Sequence, residues 1–428
     1  MSEPAPAAKR ERAVARQEQM RGRGGGRVVV AMVAVLAAGA GVARGEENGD
    51  VAGFIYGQVR TRSGGTYEGL IRWNDEEAFW GDHFNSNKVE LPYARFVPAS
   101  HRRALVEVFG VRIGLRGGWD ATRQLVVRFG DISTLEVLSG ERAELTLRNG
   151  TRIEAAGGSN DLGTAIVVHD RDRGVIELPW RKIQTVRFMQ APAGTRPYAS
   201  RLYGRVSTTA GRFEGYIQWD SEECVSTDTL DGRTGDGRLA IEFGRIRAIE
   251  RQGSNRSRVE LANGEVEVMS GTNDVNSQIR GIWVEDPRFG RVRVSWDAFR
   301  RVDFLKAPAS GPPYDLFSRP RELRGTVRDA GGKAHRGRIV VDIDEAETWE
   351  MLDGSRDGID YSIPFGMVAA IEPRGRSGSR VVLRGGPELR LEDSRDVGEK
   401  NSGVLVIAGP ESEPRYIPWD EVVRIDLE

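Results

Sequence analysis

An all-β chain built from three tandem copies of one unit is what this sequence predicts, and three observations predict it. Short runs alternate polar and apolar residues, as in Tyr216-Ile-Gln-Trp219 and Val292-Arg-Val-Ser-Trp296, the pattern of half-buried strands. Asn-Gly and Gly-Gly pairs bound these runs as hairpin signals, and beyond the amino terminus no helical period lasts longer than a turn or two. The same signatures then return three times along the chain.

Each copy opens on a Gly-containing strand pair. The first reads Gly57-Gln-Val-Arg-Thr-Arg-Ser-Gly-Gly-Thr-Tyr-Glu-Gly-Leu-Ile-Arg-Trp73, and the second runs Gly204-Arg-Val through Glu214-Gly-Tyr-Ile-Gln-Trp219. The third runs Gly325-Thr-Val through Arg336-Gly-Arg-Ile-Val-Val341. A mid-copy signature follows at Val127-Arg-Phe-Gly130, Ile241-Glu-Phe-Gly244 and Ile363-Pro-Phe-Gly366. Next come hairpins at Asn149-Gly150, Asn263-Gly264 and Gly385-Gly386, each trailed by an Asp in a polar loop: Asp161, Asp274 and Asp396. Leu178-Pro-Trp180, Val294-Ser-Trp296 and Ile417-Pro-Trp419 close the copies.

Two related modules per copy account for this hierarchy, over residues 50–190, 199–306 and 315–428. The first copy carries an insert at about residues 85–123. The Pro-rich stretches Ala191–Tyr198 and Ala307–Tyr314 read as linkers that limit the angle between copies without fixing it. Strand, Gly turn, strand with Gly-x-Ile, acidic loop, strand and an apolar-Pro-aromatic close resembles Sm-like or SH3-like small barrels. That resemblance implies barrel-like modules of about 60 residues and carries no binding motif with it.

Residues 1–45 are expected to be a signal peptide. Arg21, Arg23 and Arg27 precede the uncharged run Val28–Ala43, and small residues lead to Gly45, the layout of a cleaved leader. The run is too short and too rich in Ala and Gly for a span, so no membrane segment is expected to remain, and Met20 competes with Met1 as the start. The leader carries eight Lys and Arg against three acids in a chain of nearly balanced charge. The mature protein is therefore mildly acidic, which argues against a nucleic-acid partner. Cys224 is the only cysteine, so neither an internal disulfide nor a lipid anchor at the leader's exit is available. A periplasmic or secreted protein whose partner is an envelope protein or a glycan fits these observations.

The candidate site is the acidic loop after the second strand. It holds Asp75, Glu76, Glu77 and Asp82 in the first copy, Asp220, Glu222, Glu223 and Asp228 in the second, and Asp344, Glu345 and Glu350 in the third. Oxygen-rich loops of this kind hold Ca²⁺, although the spacing matches no known calcium loop; a solvated turn that guards a strand edge is the competing reading. Trp180, Trp296 and Trp419 sit between alternating apolar residues and read as core. Trp80, Trp119, His83 and His101 fall outside the shared pattern and read as binding candidates near the insert. Cys224 aligns with Ala78 and Ala346 as a small, tucked-in residue.

No nucleophile elbow, phosphate loop or Cys–His set is present. The function expected is non-catalytic binding or scaffolding, with glycan or divalent-ion binding as the alternative. A hydrolase with its site in the insert is the third reading.

Overall fold

The computed structural model describes residues 50–98, 123–157, 161–317 and 320–428. The expected signal peptide lies outside them, as do His101 and Trp119. The described residues are β-strands joined by turns, with helical geometry confined to three-residue 3-10 turns. No described helix is long and apolar enough to cross a membrane.

Alternation decides which side chains go inside. In the strand Arg142–Leu147, Ala143, Leu145 and Leu147 are buried and the residues between them are not. Asn149-Gly150 turns the chain back with Gly150 at φ 88°, and Gly264 and Gly386 do the same at 92° and 100°. Only glycine adopts that left-handed geometry without strain.

The first block has ten strands: β1 (Tyr56–Thr61), β2 (Thr66–Trp73), β3 (His83–Lys88), β4 (Gln124–Arg128) and β5 (Ile132–Ser139), then β6 (Arg142–Leu147), β7 (Arg152–Ala156), β8 (Ala165–Asp170), β9 (Gly174–Pro179) and β10 (Ile183–Phe188). They pair antiparallel in the order β4-β3-β7-β6-β5-β10-β1-β2-β8-β9. Ten strands from Tyr203 to Phe304, and ten more from Arg324 to Leu427, pair among themselves in the corresponding order. Strand Gly290–Val294 then pairs with Ile359–Pro364 and joins the second and third blocks into one sheet.

Three expectations are corrected here. The described strands form open sheets rather than closed barrels, because each path of pairings runs to a free edge. Nor do two modules follow one another: β3 to β7 are inserted between β2 and β8, which pair with each other. The insert also begins later than Asn85, since β3 extends to Lys88.

Gly69, Gly215 and Gly337 sit where neighbouring strands approach most closely. A Cβ there would lie 2.0, 1.9 and 2.3 Å from the carbonyl oxygens of His169, Glu285 and Ile407.

The linkers are docked, which corrects the expected angular freedom. Tyr198 stacks on His169 with centroids 3.8 Å apart. Tyr314 lies 4.4 Å from Trp80 and its hydroxyl donates to the Ile132 carbonyl. The core follows suit: Cys224, Val225, Tyr314, Phe317 and Trp349 belong to the hydrophobic cluster of the first block, while the second and third blocks share another.

Candidate metal centre

The acidic loop forms the same way in all three blocks. After the second strand the chain turns through two residues of positive φ: Asn74 and Asp75, Asp220 and Ser221, Asp342 and Ile343. Asn and Asp tolerate this region, whereas a β-branched residue is strained in it. Ile343 is held there by burial against Val97, Val340 and Leu405. The turn brings Glu77, Glu223 and Glu345 back beside Trp73, Trp219 and Val341.

The loop is not a solvated turn. Asp220 is fully buried, and Glu76, Glu77, Asp82, Asp344, Glu345 and Glu350 are nearly so. Glu222, Glu223 and Asp228 are half-buried, and Asp75 alone among the predicted set is exposed.

Three of the acids close the loop. Asp82 accepts the amides of Ala78 and Phe79, Asp228 those of Cys224 and Val225, and Glu350 those of Ala346 and Glu347. Each then meets a cation from another part of the chain. Arg201 reaches Asp82 at 3.3 Å and Glu285 at 2.8 Å, sandwiched between the rings of Phe79 and Tyr216. Arg72 takes both oxygens of Asp228. Lys88 reaches Glu350 at 2.7 Å and Asp344 at 2.9 Å. Burial alone would lower the Lys88 pKa, but those two carboxylates hold it above its ordinary value. These acids are thus used as joints between blocks.

The remaining acids are arranged differently. Asp161, Asp274 and Asp396 accept the amides of Asn85, Asp231 and Asp353 at 2.6, 2.8 and 2.7 Å. Beside them stand Glu77, Glu223 and Glu345, whose Oε2 atoms are buried and have no hydrogen-bond donor. Burial first, then the neighbouring Asp, pushes the Glu223 carboxyl up to about 9 and Glu77 well above its usual range. Glu345 is also raised well, by burial and then by Asp344 and Asp396. Burial lifts Asp161 to about 7 and Asp274 to about 6.

In the third block, oxygens of Asp342, Glu345 and Asp396 come within 4.8 Å of one another. Asp342 accepts the Ser402 amide and the Arg123 guanidinium. Asp342 and Asp396 were not among the predicted ligands. The recurrence of Asp161, Asp274 and Asp396 in three polar loops is the sequence signal that points to Asp396.

Trp80 is fully buried rather than exposed, because Tyr314 from the second linker covers it. His83 is buried too, and burial, then Arg291 and Arg128, drive its pKa well below the ordinary value. It lines a cavity of about 370 Å³ where the three blocks meet, with Arg128, Tyr216, Arg291, Ser362 and Met367. Cys224 is buried, and its thiol donates to the Glu76 carbonyl.

No family model matches this chain, and no curated protein matches it. Among solved structures, a streptogramin B lyase aligns over 70% of this chain and 94% of its own at 9% identity, with a TM-score of 0.11. That likeness carries no argument.

Proposed function

We propose that this chain is an exported, non-catalytic binding protein of the cell envelope, built from three copies of one unit. The observation that carries the reading is the cavity at the junction of the blocks. Its volume lies in the range of ligand sites, and its lining mixes apolar surface with a few polar groups. Cross-block ion pairs and docked linkers support a single preorganised body around it, rather than three modules that bind separately. The occupant proposed is an envelope protein segment or a glycan.

Affinity capture from envelope extract with residues 46–428 tests this, followed by mass spectrometry and glycan arrays. A reproducible partner that is lost in Ser362→Trp, which fills the cavity, would support the reading. Capture of nothing above background, together with hydrolysis of envelope substrates by the intact chain, would overturn it and favour the hydrolase. A second reading, divalent-ion binding, is favoured by the carboxylates gathered in the third block.

A further inference from the structure

We infer that Asp342, Glu345 and Asp396 of the third block form a calcium site that ties the second-strand loop to the loop at 393–403. The inference deepens the divalent-ion reading and is independent of whatever the central cavity binds.

The geometry suits a large, hard cation. Oxygens no more than 4.8 Å apart share a centre at most about 2.8 Å from each, within which the roughly 2.3–2.6 Å of Ca²⁺–oxygen bonds falls. All three residues are buried.

A second observation points to a ligand. Glu345 is only 8% exposed, yet its Oε2 has no donor. A buried carboxylate oxygen left without a partner is costly, and a cation among the three carboxylates removes that cost.

Charge accounting favours the same site. Among the described residues, Asp342, Asp344, Glu345, Glu350, Asp353 and Asp396 face three cations: Lys88, Arg123 and Arg395. One divalent ion offsets most of the excess.

The other blocks lack the arrangement. Asn74 replaces Asp342 in the first block and accepts the Thr164 hydroxyl. In the second, the carboxylates of Asp220, Glu223 and Asp274 are not gathered within that distance, and Asp220 pairs with the Arg280 guanidinium. Of the acids predicted from sequence, Glu345 alone is a ligand here, because Lys88 takes Asp344 and Glu350.

The test is calorimetric titration of EDTA-stripped residues 46–428 with CaCl₂, beside thermal melts with and without EDTA. One saturable equivalent and a higher melting temperature with calcium are expected. Glu345→Gln should weaken binding about tenfold or more, while Glu77→Gln, its counterpart in the first block, should leave the stoichiometry unchanged. Absence of saturable heat from the wild-type protein, with a melting temperature indifferent to EDTA, overturns the site whether or not the variant folds. A melting temperature that responds to pH but not to calcium also overturns it, in favour of a proton shared between Glu345 and Asp396. Neither result bears on the capture experiment.

Discussion

Arg72 of the first block holds both carboxylate oxygens of Asp228 in the second, at 2.5 and 3.0 Å. The same Asp228 closes its own loop through the Cys224 and Val225 amides. One side chain therefore shapes a turn and joins two blocks.

Arg72→Ala leaves Asp228 largely buried without its cation. Removing one partner of such a pair is expected to cost about 3 kcal/mol, read as a lower denaturant midpoint. An unchanged midpoint would show that the joint between blocks contributes nothing.

Gly215→Ala places a Cβ 1.9 Å from the Glu285 carbonyl oxygen. Backbone cannot yield as a flexible side chain does, so the loss should reach the upper end of overpacking costs, about 3 kcal/mol or more. Gly253→Ala provides the comparison: its added Cβ meets nothing within 4 Å, so its cost is confined to the positive φ of 73°. Equal melting temperatures for the two variants would contradict the close strand approach.

Stability should fall as pH rises from about 4.5 towards 9. Glu223 is raised to about 9, Asp161 to about 7 and Asp274 to about 6 in the folded chain. The unfolded chain releases the same protons near pH 4. In between, the folded state binds more protons, so alkali favours unfolding. In EDTA, the urea midpoint should be lower at pH 8.5 than at pH 5, and Glu223→Gln should shrink the difference. A midpoint that climbs over this interval would refute the assignment.

Cys224 should resist thiol reagents in the native protein. It is buried, and burial pushes its thiol well above the ordinary value, which suppresses the reactive thiolate. Labelling should appear only with unfolding. Rapid modification of the native chain would mean that the contact between the first two blocks opens freely.

Much of the fold is written locally. Alternation at Ala143, Leu145 and Leu147, the hairpin glycines, and the core placement of Trp180, Trp296 and Trp419 all follow from residues a few positions apart. A strand's period and a turn's φ depend on nothing more distant. The tucked-in position of Cys224 is legible for the same reason, from its alignment with two alanines.

The acidic loops are a different case. Their charges resemble those of a solvated turn until Arg72, Lys88 and Arg201 arrive from elsewhere in the chain, and Trp80 looks exposed until Tyr314 covers it. Which cation meets which carboxylate is set by how blocks pack, and the energy of a charge depends on burial and partners rather than on sequence position. By itself the sequence determined strands, turns and a thrice-repeated pattern, because those are short-range properties. Only the tertiary structure decided that β3 to β7 nest inside the pair β2–β8, that the acids serve as joints, and that Asp342, Glu345 and Asp396 share one buried place. Those are contacts between residues far apart in the chain, and they exist only once the chain has closed on itself.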